Sequence, residues 1–247
     1  MQIADKTMTN PEHQPILGAL VDYTPAPFPK QLSLMGDRVD LEQLTRGHAG
    51  DLHKHFADSL HNAIWDYLPY GPFASADDYG DWIDEQTKAG DPHFFAIIDK
   101  TIGEAVGVAS YLRINPKDGS IEVGHINYSP RLQGTIGATE TMYLMMRWAF
   151  DAGYRRYEWK CNALNLKSRA AAQRLGFSYE GVFRQATITK GRNRDTAWFA
   201  MIDQEWPVMN TAFQSWLKPE NFDANGQQKT RLSDLTAPHR VASDPLL

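Results

Sequence analysis

The stretch from Ser120 to Phe150, SIEVGHINYSPRLQGTIGATETMYLMMRWAF, decides how the rest of this chain of 247 residues is read. It opens as a strand with Ile121, Val123 and Ile126 among its apolar residues. It then passes through the loop Gln133-Gly134-Thr135-Ile136-Gly137-Ala138 and continues as an apolar helix. A strand feeding a loop that opens a helix presents unpaired backbone N–H groups at the positive end of the helix dipole. Such a turn suits a pyrophosphate or another anion, and an ordinary strand-to-helix connection is the competing reading. The loop carries neither the Gly-Lys-Ser/Thr of an ATP-binding P-loop nor the three spaced glycines of a dinucleotide fingerprint. Along the helix Glu140, Arg147 and Asp151 fall on one narrow stripe, so the rest of its circumference must be covered, and Gly153 ends it.

Working towards the N-terminus, Asn115-Pro116-Lys117-Asp118-Gly119 is a turn by composition, and His93–Ile98 and Glu104–Ile114 are strands separated at Gly103. Links this short argue an antiparallel meander that leads into the central strand. Before it, Ser75 caps a helix running to Lys88, with Asp77 and Asp78 in its first turn. Trp65, Tyr67, Leu68, Pro69 and Tyr70 form an aromatic-rich segment that is either core or the wall of a substrate pocket. Gly47–Leu60 is helical, with Leu52, Phe56 and Leu60 every fourth residue, and Asp37–Leu44 is a first strand. The helix carries His48, His53 and His55, with His61 just beyond it. No HExxH motif or cysteine partner accompanies them, so they read as solvated helix residues rather than metal ligands. Residues 1–36 are polar and Pro-rich, an irregular strap with Leu32, Leu34 and Met35 available to pack on the domain.

Towards the C-terminus, Tyr154–Cys161 is a strand, Asn165 caps a helix over Leu166–Leu175, and Gly176 stops it. Ser168, Ala171, Ala172 and Leu175 share its inner face. Lys167 and Arg169 stand in its first turn, where cations oppose the dipole, which is either a small tolerated cost or a sign that an anion lies close by. Phe177–Lys190 and Arg194–Ile202 form a hairpin joined at Gly191-Arg192-Asn193. Trp206–Leu217 is an amphipathic helix, and from Lys218 to the last residue the chain is a polar tail, read as extended or disordered.

The composition is that of a globular domain, no apolar run reaches membrane-spanning length, and the first residues lack the apolar core of a signal peptide. Cys161 is the single cysteine, which points to a reducing cytoplasm and to no intrachain disulfide. It reads as a packed thiol more readily than as a nucleophile. A net charge of −5 without a basic tract argues against general nucleic-acid binding and tolerates a cationic amine.

The order of these elements, and two of their motifs, resemble the Gcn5-related N-acetyltransferase (GNAT) superfamily, in particular the branch of the ribosomal-protein N-terminal acetyltransferases RimJ and RimL. The resemblance covers residues 37–205. The acetyl-CoA loop of that family, Gln/Arg-x-x-Gly-x-Gly/Ala, falls on Gln133–Ala138 and continues through Thr139-Glu140. Gln133 and Ala138 match, Ile136 stands where the central glycine is expected, and Gly137 is displaced by one. Asn165-x-x-Ser168-x-x-x-Ala172-x-x-Leu175-Gly176-Phe177 with Glu180-Gly181 is similar to the branch signature, and Gly191-Arg192…Asp195 resembles its hairpin turn.

The resemblance implies a mixed, mostly antiparallel α/β (α+β) fold with helices flanking the sheet. It also implies direct transfer of acetyl from acetyl-CoA to a primary amine in a ternary complex, the amine being that of a protein N-terminus, an amino acid or a small molecule. Backbone N–H groups around Ile126, Asn127 and Tyr128 would carry the pantetheine. The loop Gln133–Thr139 and the α-helix start at Asn165, Lys167, Ser168 and Arg169 would complete the cofactor site. Glu122 matches a position where some members carry a catalytic carboxylate, and His125 on the same strand is a second candidate base. The tyrosine that many members use as acid is replaced by Ala172, which leaves Ser168 as the candidate there. Trp65, Tyr67, Tyr70 and the acids near residue 77 would bound the amine pocket. A non-catalytic acyl-CoA-binding module and a protein-interaction domain are the other readings, and dimerisation through the hairpin or strap is left open.

Overall fold

The structure, a computed structural model, describes residues 18–57 and 63–247, so Leu60 and His61 lie outside it, as does the start of the strap. Eight strands form one sheet in the order β1-β2-β3-β4-β5-β6-β8-β7. They are β1 Leu34–Met35, β2 Val39–Gln43, β3 His93–Asp99, β4 Glu104–Asn115, β5 Ser120–Tyr128, β6 Arg156–Asn162, β7 Ser178–Thr189 and β8 Arg192–Ile202. The helices are α1 Ala49–Phe56, α2 Ala76–Gln86, α3 Ile136–Asp151, α4 Leu166–Arg174, α5 Trp206–Leu217 and α6 Leu232–Thr236. The meander β3–β4–β5 is antiparallel as expected, and among the described residues β5 and β6 are the single parallel pair, joined through α3. The alternation of strand side chains divides the core in two. On β3, Phe95 and Ile97 pack beneath α3 with Met145 and Met146, while Phe94 and Ala96 pack with Leu52, Phe56 and Ile83 of α1 and α2.

The two expected caps hold: Oγ of Ser75 accepts from the N–H of Asp78 and Asn165 Oδ1 from that of Ser168, and Thr135 Oγ1, not read as a cap, accepts from Ala138. Other expectations change. The first helix starts later than read, since a 3₁₀ turn over Arg46–His48 precedes α1, its expected end at Leu60 lies outside the described residues, and α2 stops at Gln86 rather than Lys88. The terminal hairpin turns on two residues, Lys190 (φ 48°) and Gly191 (φ 72°), with Thr189 opposite Arg192. Two positive φ angles in succession match a type I′ turn, whose twist suits the strands. Glu140 is not on a wet stripe. It is buried, and its carboxylate accepts the backbone N–H groups of Asp37, Arg38 and Val39 at 2.7–3.2 Å, fixing the β1–β2 turn onto α3.

The tail is the largest correction. Although polar, it folds back along α4, burying Leu232, Thr236 and Asp244. Arg169 is turned into this contact: its guanidinium meets Asp244 through two bonds of 2.6 Å and donates to the carbonyl of Ala163. Burial alone would raise the Asp244 pKa, but the bonds from Arg169 and the Leu246 N–H hold it below the usual carboxylate range. The stability this ionised carboxylate contributes is therefore present above its unfolded pKa of about 4 and is lost as the pH falls through its lower folded value. Arg169→Met, which leaves Asp244 buried without its partner, is expected to cost ~3–5 kcal/mol at neutral pH. Denaturant melts at several pH values should show that deficit shrinking below pH ~4.

Candidate active site

The site begins where β5 and β6 part. Their parallel register runs from Ser120↔Arg156 to Val123↔Trp159 and ends there. Beyond it β5 stays with β4, Asn127 opposite Val108, while β6 stays with β8, Asn162 opposite Thr196. A bulge helps to turn β5 away: His125 has φ 49°, and three steps on β5 from Gly124 to Asn127 face two on β4. The wedge opens into a cleft of about 1450 Å³. That exceeds the ~300–1,000 Å³ of a typical single-ligand pocket and leaves room for two reactants.

One end of the cleft suits phosphates and amides. Leu132, Gln133, Thr135 and Ala138 commit their N–H groups inside the loop, whereas those of Gly134, Ile136 and Gly137 meet no protein acceptor among the described residues. The loop favours a glycine at position 134, where φ is 73°, and at 137 a Cβ would stand 3.0 Å from a Val39 methyl, which would have to shift. Ile136 has no positive φ and lines the cleft, so the displaced glycine leaves the donors in place. Lys167 and Arg174 bring cations to the same region. Arg174 donates to Thr139 Oγ1 at 2.9 Å, and burial lowers its pKa. The wall opposite includes Trp216, Phe222 and Gln228 from α5 and the tail. Asn127 is 2% exposed, lines the cleft, and neither atom of its amide has a partner among the described residues. It is an orphan donor and acceptor on the part of β5 that β6 has left, which suits an amide-bearing ligand, so the residues present fit acetyl-CoA.

The other end is charged. Glu122 is 3% exposed, with Lys160 Nζ 2.9 Å away and Arg113 Nε 3.4 Å away. Burial raises its pKa against the pull of both cations. Lys160 also reaches Glu158 at 2.7 Å. His125 Nδ1 lies 3.2 Å from the Tyr70 hydroxyl, and burial with the charges of Arg113 and Arg194 drives its pKa down to about 4. The imidazole is thus neutral at physiological pH and a weak base, unlike the unperturbed histidine expected. Ser168 Oγ accepts from Trp159 Nε1 at 3.0 Å, and its hydroxyl is within hydrogen-bonding reach of the Cys161 thiol. Cys161 is buried beside it with its thiol pKa raised by burial, against a nucleophilic role.

The cleft brings together most of the expected residues: Glu122, His125, Ile126, Asn127, Tyr128, Gln133, Gly134, Thr135, Ile136, Ala138, Thr139, Asn165, Lys167 and Ser168 line it, with Tyr67. Several others fall elsewhere. Arg169 serves the tail, while Gly137 meets the loop only through its N–H, its Cα being close to Val39. Trp65 is a core residue, 3% exposed between Phe56 and Phe73, because the apolar face of α1 needs that ring. Tyr70 stacks behind His125 rather than lining the space. Asp77, Asp81 and Asp84 gather around Arg46 on the outer face of α2 and bound no amine pocket. Ala172 is fully buried, so the position read as the missing acid faces the core. Arg174 and Arg194 were missed. Arg174 follows Lys167 at a spacing of seven and was detectable on the helical wheel, while Arg194 carries no local signal.

The comparisons agree with this geometry. A sequence model of the family "Acetyltransferase (GNAT) domain" matches residues 38–178. The crystal structure of a GCN5-related N-acetyltransferase from Brucella melitensis is 42% identical, with a TM-score of 0.85 over 87% of this chain and 99% of that one. That of a probable GNAT-family acetyltransferase from Chromobacterium violaceum is 37% identical, with a TM-score of 0.72 over 80% of this chain and 100% of that one. The ribosomal-protein-serine acetyltransferase of Escherichia coli is 32% identical over 100 residues, 40% of this chain and 55% of that one. Among the described residues no helix is long and apolar enough to cross a membrane. With its family pattern and a divided sheet that fits acetyl-CoA, this chain belongs to the GNAT acetyltransferases and is an acetyl-CoA-dependent enzyme.

Proposed function

We propose that the enzyme acetylates a primary amine directly, within a complex holding both reactants, and that Glu122 is the base. The observation that carries this is a buried carboxylate in the cleft whose pKa is raised by burial, beside a neutral histidine. A base works best with a pKa approaching the operating pH, which favours Glu122 over His125. Bound acetyl-CoA supplies a thioester carbon for the amine to attack. Glu122 takes the ammonium proton, directly or through a water, and Lys160 and Arg113 keep the carboxylate ionised enough to accept it. His125, fixed by Tyr70, orients the acceptor or that water. Strand β5, freed from β6 after Val123, offers main-chain donors around Ile126–Tyr128 and the Asn127 amide. Ser168, whose oxygen is held by Trp159, donates its proton towards the departing sulfur. The N–H groups of Gly134, Ile136 and Gly137, with Lys167 and Arg174, hold phosphates.

Calorimetry should register acetyl-CoA binding, and Arg174→Ala should weaken it by about tenfold, the loss of one charge-assisted contact. Unchanged affinity in that variant would remove Arg174 from the site. Thiol release with amine substrates tests the base. Glu122→Gln should lower kcat by ~10²–10³. Wild-type activity should fall as the pH drops through a group lying above the ordinary carboxylate value of about 4.3, since protonated Glu122 accepts no proton. That acid limb should vanish in the variant, and its survival would assign the base elsewhere.

A further inference from the structure

Three arginines line the cleft: Arg113, Arg174 and Arg194. Arg174 belongs to the phosphate end through Thr139, and Arg113 reaches Glu122. Arg194 has no such assignment. It stands on β8 opposite Thr187, two residues before Thr196, which closes the β6 register. Its Nε is buried without a partner, and no carboxylate lies within ion-pair distance among the described residues. Neighbouring arginines do find acids: Arg156 pairs with Glu158 and Glu180, and Arg169 with Asp244. Arg194 is half-buried, with its Nε fully shielded, and a guanidinium partly withdrawn from water without a counter-charge is kept where something else supplies the charge.

We infer that the acceptor carries an oxyanion group, a carboxylate or a phosphate, beside its amine, and that Arg194 binds it with Arg113 at the margin. The inference rests on the transferase reading and names the substrate class of that same cleft. The planar fork of Arg194 matches an oxyanion bidentately. The side chain lies at the Glu122 end, within electrostatic reach of Glu122, Arg113 and Cys161, away from the loop that holds phosphates of the cofactor. An acceptor anchored there by its anion would present its amine to Glu122, and the same cations would favour loss of the ammonium proton. The acids that would have welcomed a polycation are committed to Arg46 outside the cleft. Diamines and polyamines would instead meet Arg113, Lys160 and Arg194 and be repelled.

The test uses the full chain and matched acceptors: amino acids against their amides, aminoalkyl phosphates against the parent amino alcohols, and diamines. Wild-type kcat/KM should favour an anionic member over its neutral partner by about 10- to 100-fold, the size of one charge-assisted contact. The carboxylate and phosphate pairs decide which oxyanion is meant. Arg194→Gln should raise KM for the anionic acceptor by a similar factor, leave KM for its neutral partner and for acetyl-CoA unchanged even where kcat shifts with the lost charge, and preserve the melting temperature. In parallel, calorimetry on the CoA-loaded protein should show the anionic amines binding and Arg194→Gln losing that binding. Binding without turnover would uphold the oxyanion site and overturn the amine-transfer reading. Turnover with neutral amines or diamines preferred, or an equal loss for every acceptor in Arg194→Gln, would overturn the oxyanion site and leave transfer intact. Absence of any anionic binding or turnover would also overturn it.

Discussion

The enzyme depends on the parting of two parallel strands. From Ser120 to Val123 strand β5 is hydrogen-bonded on both sides, and past Val123 its edge towards β6 is open. Open main-chain edges invite pairing with another chain. Here that edge lies inside a cleft between two halves of one sheet, so an extended, amide-bearing ligand is the partner it can take. The bulge at His125 and the left-handed backbone there keep β5 on β4 while β6 continues with β8. Helices α3 and α4 both start near the mouth, so their positive ends and capping loops converge on the same opening. Divergence, free donors and helix dipoles thus have one geometric origin.

Charge is distributed along the cleft in a way composition conceals. A net charge of −5 describes the outer surface, where α2 collects acids around Arg46. The interior is different: Arg113, Lys160, Lys167, Arg174 and Arg194 all line the cleft, against Glu122 and, on the segment crossing its mouth, Asp66. Glu158 stands just behind, tied to Lys160 and Arg156. Where the cleft is shielded, around the buried Glu122 and Lys160, these few groups outweigh the surface, because attraction between charges grows as water is removed.

What was legible in the sequence was what is encoded locally. Ser75 and Asn165 cap helices through bonds spanning three residues, and the meander follows from short polar turns, so both could be read without a fold. The wedge itself was placed around Ile126–Tyr128 only through resemblance, since no residue pattern announces where two strands separate. The misreadings share another cause. Arg169 looked like a cofactor ligand because its partner is 75 residues away, Glu140 like a surface acid because the N–H groups it binds are about 100 residues upstream, and Trp65 like a pocket wall because the ring it meets belongs to another element. Position on a helix says which face a side chain takes, and the occupant of the opposing surface comes from elsewhere in the chain.

Helix α4 shows why the polar tail folds at all. Nine residues long, it ends with carbonyls that the following turn satisfies only in part, the N–H groups of Leu175, Phe177 and Gly176 reaching those of Ala171, Ala172 and Gln173. The tail answers them: Thr236 Oγ1 donates to the carbonyl of Arg174, and Arg240 Nη1 to that of Gln173, while the side chain of Gln173 accepts from the N–H of Asp244. The low apolar content that argued for disorder is thus matched by hydrogen bonds and by the buried Arg169–Asp244 pair rather than by a hydrophobic surface. Since α4 carries Ser168 and Arg174 into the cleft on one side and Arg169 to the tail on the other, the tail fixes the helix from which two cleft residues project. Phe222 and Gln228 then close the phosphate end of the space that those residues enter. A segment beyond the family pattern, which ends at residue 178, is in this way part of the wall of the site.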